Sequence, residues 1–177
     1  MNISQNACVC KFPLNPNNMK TKQKTYLRAL GMGTVAGMRA ATAPALLSHL
    51  LVKSPAGELN FSRLRYLQLP KVALGLKIAA GAEIAGDKLP NVPDRTILPE
   101  LLTRVASGAI VGATLAMANK QNTLTGAVIG GAAAAASSYL FCFLRKKLVS
   151  TTGLPDYSFA VLEDALALAG GYQIAKG

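Results

Sequence analysis

The sequence predicts an all-α fold, a polytopic membrane bundle of about five Gly- and Ala-rich helices, and three observations carry that prediction. Half of the 177 residues are hydrophobic (51%), yet no segment alternates with the period-two pattern of a strand. The stretch Leu124 to Leu144 holds no charge at all, and more than 18 consecutive uncharged residues can cross about 30 Å of hydrocarbon. The 19 Lys and Arg, against 8 Asp and Glu, gather mainly before and between the apolar segments, as membrane topology demands. The same composition excludes other classes. Apolar content is too high for intrinsic disorder, and three Cys without repeated spacing make neither a disulfide framework nor a four-ligand zinc site. A nucleic-acid binder would interleave its bases with aromatic or polar readers, whereas here they flank Ala and Gly tracts.

Residues 1–24 read as a basic, disordered tail and 25–177 as a single membrane helical domain. The tail is Asn-rich, carries Pro13 and Pro16, and holds Cys8 and Cys10 as incidental thiols. Met19 opens a second basic start, so the initiating methionine is Met1 or Met19. No acid occurs before Glu58, and the Lys cluster before the first apolar run predicts an uncleaved anchor with its N-terminus in the cytoplasm.

The first helix is expected over Tyr26 to Val52, kinked at Pro44. A polar stretch from Lys53 to Leu69 suits a short interfacial helix. The second helix runs from Pro70, a residue suited to a first turn, to about Gly86, and a Pro-rich turn, Leu89 to Pro93, follows. The third spans Leu98 to Ala118, with Glu100 in the first turn where the helix dipole favours an acid. After a short turn the fourth covers Leu124 to Leu144 and is expected to stop at Arg145, Lys146 and Lys147; the fifth runs from Pro155 to Ala175. An Ala-rich soluble bundle is the competing fold, but Gly126 to Leu144 offers no polar face for water. With these five spans and an inner N-terminus, bases near segment ends divide ten inside to six outside.

Small residues recur at four-residue spacing, Gly33 with Gly37, Gly108 with Gly112, and Gly126 with Gly130, which lets helices approach backbone to backbone. These faces serve packing within the bundle or a homo-oligomer. Ionisable groups inside apolar segments cost about 2.5–3.5 kcal/mol each on insertion scales, so they pair and face the interior. The cluster expected here is Arg39, Glu83, Asp87, Arg104, Glu163 and Asp164, with Arg39 pairing Glu83 or Glu163 and with Arg104 able to snorkel from near its helix start. It would bind or pass a small ion or polar solute, or else fix helix register. Lone His49 and Cys142 read as packing residues. No catalytic motif, metal-ligand set or cofactor fingerprint appears, so neither enzyme activity, metal nor cofactor is expected.

A faint echo aligns Gly33 to Leu51 with Gly126 to Leu144 and sets Glu83 opposite Glu163, a weak inverted repeat of the kind transporters use.

Gly37 and Arg39, then Glu83, Asp87, Lys88, Leu89, Pro90 and Asp94, and finally Arg104 and Gly108, together resemble domain of unknown function family 4126 over roughly Leu27 to Ala175. The chain departs from the family pattern at Val105, where many members have Pro after the third-helix Arg. The resemblance implies a small, mostly bacterial, multispanning membrane protein and supplies no activity. The expected setting is the cytoplasmic membrane, with the lipid bilayer as partner, a homo-oligomer as a further option and no nucleic acid. The expected function is solute binding or passage at the charge cluster; the alternative is a scaffold assembling through Gly-rich faces.

Overall fold

A computed structural model describes residues 16–86, 98–152 and 156–176. Among them are six α-helices, two 3-10 helices and no strand: α1 (Pro16–Met38), α2 (Thr42–Lys53), 3-10 helices at Gly57–Phe61 and Arg63–Gln68, α3 (Pro70–Gly86), α4 (Leu98–Ala118), α5 (Thr123–Thr152) and α6 (Asp156–Lys176). Pro16 to Lys24, read from the sequence as tail, is helical; Pro suits a first turn, and nothing from Met19 to Lys24 breaks a helix. Cys8, Cys10, Asp87 to Asp94 and Pro155 lie outside the described residues.

The expected single helix from Tyr26 to Val52 is two helices. A Pro ring clashes with the carbonyl four residues back, here Ala40, and it is tolerated only in a first turn, where the N–H has no helical partner anyway. Pro44 accordingly stands third in α2, and helical structure lapses at Arg39 to Ala41. Charge did not stop α5, which continues through Arg145 to Lys147 to Thr152.

Helix directions follow from the contacts. Gly33 faces Gly130 while Gly37 faces Ala134 and Ser137, so α1 and α5 run parallel. Gly108 faces Gly130 and Ala134 while Gly112 faces Gly126, so α4 runs antiparallel to α5. The short connection is closed by Lys120 in the left-handed region (φ 57), with Gln121 N–H donating to the Ala116 carbonyl at 2.8 Å. Asn122 Oδ1 then accepts from Leu124 and Thr125 N–H, opening α5.

α2 doubles back on α1. Gly171 of α6 meets both Val35 and Leu46, which lie on opposite sides of the break. Ser107 of α4 reaches Ala40, whereas Lys120, beyond the other end of α4, pairs with Glu58 just past α2. α1 and α2 therefore form a helical hairpin whose tip lies beside the first turns of α4. α3 returns along α2, with Lys77 near His49 and Glu83 at the tip. The parallel course of α1 and α5, and the break inside the aligned stretch Gly33 to Leu51, overturn the inverted-repeat expectation, which required opposite directions and unbroken helices.

The interior is mostly apolar but holds buried charge, and much of the exterior is large and apolar. Arg39 and Arg104, each 1% exposed, are the largest fully buried side chains, with Thr42, Ser48 and Thr114 also buried. Outside, Leu124, Val128, Leu140 and Phe143 form a stripe along α5, Leu74 and Ile78 lie outward on α3, and Leu162 and Leu166 on α6. Two helices, Leu98–Ala118 and Thr123–Leu144, are long and apolar enough to cross a membrane.

Candidate functional site: the capped tip of a helical hairpin

A break between two helices leaves carbonyls at the end of the first and N–H groups at the start of the second without helical partners. At Arg39 to Ala41 side chains from three other helices supply them. The Glu83 carboxylate of α3 accepts from Ala40 N–H with one oxygen and from Ala41 N–H with the other, both at 2.9 Å. An anion at a helix start is also favoured by the helix dipole. Arg104 of α4 donates through Nη1 to the carbonyls of Gly37 (2.8 Å) and Met38 (2.6 Å), the closing residues of α1. Its Nη2 bonds Glu100 at 2.8 Å and lies 3.9 Å from Glu83. Ser138 of α5 donates to the Gly37 carbonyl, and Ser107 of α4 to that of Ala40. From inside the tip, Arg39 pairs with Asp164 of α6 and donates to the Glu83 main-chain carbonyl at 3.3 Å.

The structure thus brings together Arg39, Glu83, Arg104 and Asp164. Glu163, the neighbour of Asp164, is buried as well. Asp87 lies outside the described residues. Arg104, expected from the sequence to be able to snorkel, is instead enclosed, because the tip carbonyls and Glu100 provide its partners within the bundle. Lys77 is exposed and meets His49 Nδ1 at 2.9 Å, outside this cluster. Glu100, Ser107 and Ser138 belong to the site and were missed as site residues. Their signal was available: Ser107 precedes Gly108, Ser138 stands eight residues after Gly130 on the same helical face, and Glu100 is four before Arg104.

Among the described residues, two guanidinium groups thus meet three carboxylates, Glu83, Glu100 and Asp164, with a fourth, Glu163, buried one residue away, so acid exceeds base among them in a chain that is basic as a whole. Thr42 Oγ1, at the start of α2, and Arg104 Nε are buried without a hydrogen-bond partner among the described residues.

The glycines set how closely this site can be approached. A Cβ on Gly108 would fall 2.6 Å from the Gly130 carbonyl oxygen and 2.7 Å from Ala134 Cβ, and one on Gly33 would fall 2.9 Å from Ala133 Cβ. Gly33, Gly37, Gly108, Gly112, Gly126 and Gly130 all lie on one seam where α1, α4 and α5 meet. Close approach there brings the α4 and α5 side chains within reach of the end of α1.

Fold and site define a class: an all-helical protein with two helices fit to cross a membrane, small residues at its helix seams and a charged interior. The chain belongs to the DUF4126 family, a domain of unknown function, whose family model matches residues 27–174. No curated protein and no solved structure matches it significantly.

Proposed function

We propose that this is an integral membrane protein that binds or passes a small cation or proton at the hairpin tip. Membrane placement is supported by the large apolar side chains on the outside of the bundle, combined with charge buried inside it. A 22-residue apolar span is about 33 Å long, enough for the hydrocarbon core, and the surface beside it is Leu, Val and Phe while two arginines are buried. In this reading α1 and α2 form a re-entrant hairpin. Its tip sits near Arg104, six residues or roughly 9 Å into α4. Non-helical backbone at membrane depth is tolerated where it is buried in protein or lines a cavity, and helix ends meeting in a bundle interior are how transporters hold ions.

The single observation that carries the ligand is Glu83, a carboxylate held on two main-chain N–H groups amid an excess of acid. A proton or cation that neutralises Glu83 would weaken its hold on Ala40 and Ala41 and so couple occupancy to the seating of α3, which packs on α2 and the 3-10 segment. The buried Thr42 hydroxyl, without a hydrogen-bond partner among the described residues, offers a further oxygen to such a ligand. Assembly through the Gly-rich faces is less well supported, since those glycines face one another within one chain.

Flux into liposomes across a panel of small cations and protons, wild type against Glu83→Gln, tests the reading. Wild type should pass at least one of them, and the variant should lose most of that flux while still melting cooperatively in detergent. Absence of flux for every cation, together with no cation-dependent stabilisation, would overturn the ligand reading. Release from membranes by carbonate without detergent would overturn the membrane reading.

A further inference from the structure

The hairpin changes which bases share an end. With α2 folded back, Lys20, Lys22, Lys24, Arg28, Lys53, Arg63, Arg65, Lys71, Lys120 and Lys176 all lie at the end where α1 begins, against Arg145, Lys146 and Lys147 at the other, ten to three among the described residues. At that basic end the two 3-10 helices form an open cleft of about 350 Å³, lined by Asn60, Ser62, Arg63, Arg65 and Tyr66. The lining holds two guanidinium groups and no acid. Neither arginine has an ion-pair partner among the described residues, and Arg65 stacks 5.4 Å over the Tyr66 ring, which limits its freedom before any ligand arrives.

The segment is also clasped more firmly than a surface connection requires. Ala56 and Gln68 exchange two hydrogen bonds, Ser48 Oγ donates to the Leu67 carbonyl, Leu59 is fully buried, and Glu58 pairs with Lys120 at 3.1 Å. From the cleft the exposed apolar surface continues through Leu69 onto Leu74 and Ile78 of α3. Ile78 stands eight residues beyond Pro70, so the apolar strip rises about 12 Å from the cleft along α3.

We propose that this cleft binds the phosphate of an anionic phospholipid whose acyl chains lie along α3. Paired guanidinium groups with a hydroxyl and an amide beside them match phosphate oxygens. Juxtamembrane basic groups are attracted to the anionic cytoplasmic leaflet, and an apolar strip continuing from the headgroup site fits a lipid and not a free anion. This rests on the membrane reading above.

The test is thermal stability of the full chain in neutral detergent, titrated with phosphatidylglycerol, phosphatidylcholine or inorganic phosphate, for wild type and for Arg63→Ala/Arg65→Ala. Both arginines are exposed, so the double variant should melt as wild type does without lipid. Phosphatidylglycerol should raise the wild-type midpoint well above the effect of phosphatidylcholine, and the double variant should need about tenfold more lipid for the same rise. Equal response to both lipids, an undiminished response in the double variant, or an equal rise with inorganic phosphate would each overturn the lipid site; the last would make it a free-anion site. Carbonate extraction separates the failures. Release without detergent removes the membrane reading and this proposal with it, whereas retention with no lipid discrimination removes the lipid site alone.

Discussion

Arg104→Lys is the substitution that asks most directly whether the hairpin tip is held by side chains. The guanidinium spans two tasks: Nη1 holds the carbonyls of Gly37 and Met38, and Nη2 holds Glu100 and lies near Glu83. A lysine keeps the charge but gathers its donors on one nitrogen, so it serves the carbonyls or the carboxylates and not both. Losing one side leaves a hydrogen bond to a charged group unmade, a cost of about 1.5–3 kcal/mol. Arg104→Met removes both sides and strands the acids, for about 3–5 kcal/mol. Against a total stability of about 5–15 kcal/mol these are large fractions. Exposed Arg63→Met is the control and should stay within about 0.5 kcal/mol. The assay is equilibrium unfolding in mixed micelles of neutral detergent and SDS, followed by helical circular dichroism. The expected order is Arg104→Met least stable, then Arg104→Lys, then Arg63→Met near wild type. An Arg104→Lys midpoint indistinguishable from the control would refute the claim that the tip needs a forked donor.

Packing at the seam gives a second test. Gly108→Ala places a methyl 2.6 Å from the Gly130 oxygen where ordinary contact begins near 3.4 Å, so α4 and α5 must part by about 0.8 Å. Overpacking of this kind costs about 1–3 kcal/mol, while Gly75→Ala on α3 meets nothing within 4 Å and should be neutral or stabilising in the same unfolding assay. Arg28 donates through Nε and Nη2 to the carbonyls of Ile174 and Ala175 at the end of α6, so Arg28→Met should raise amide exchange in the last turn of α6 without changing the α4–α5 seam. Topology is testable by labelling with an impermeant maleimide in a background lacking Cys8, Cys10 and Cys142. Lys22→Cys and Ser54→Cys should label from the same side of the membrane, whereas a single span from Tyr26 to Val52 would put them on opposite sides.

Helix ends were legible where the sequence carries turn chemistry. Pro70 and Gly86 bound α3, and Leu98 and Ala118 bound α4, where the sequence placed them. The α1–α2 break was written in Pro44 but misread as a kink, because propensity over an Ala- and Leu-rich run outweighed the steric conflict with the Ala40 carbonyl. Arg145 to Lys147 end the uncharged run of the sequence but not the helix, since Lys and Arg are good helix formers. The apolar surroundings of Arg39 and Glu163, both buried, were legible, whereas Arg104 was read as able to snorkel and Asp87 lies outside the described residues. Which acid meets which base was not legible, because it depends on the hairpin: only a chain that turns back at Arg39 sets Glu83 on the N–H groups of Ala40 and Ala41 and leaves Arg104 for the carbonyls.

That turn also orders the charges. Among the described residues, a single first span would divide the bases at segment ends seven to six, too even to orient the chain. Folding α2 back along α1 moves the polar segment with Lys53, Arg63, Arg65 and Lys71 to the end that holds Lys20, Lys22, Lys24 and Arg28, and the same described bases then divide ten to three. The break therefore accounts for two features that look unrelated in the sequence. It gathers the buried charges, because an open backbone turn inside a bundle requires hydrogen-bond partners, and here Glu83 and Arg104 join Ser107 and Ser138 in supplying them. It also gives one basic face, because the hairpin returns the chain to the end it left. An unbroken first helix would supply neither, and the gathering of charge at the tip and of base at the end would both lack a cause.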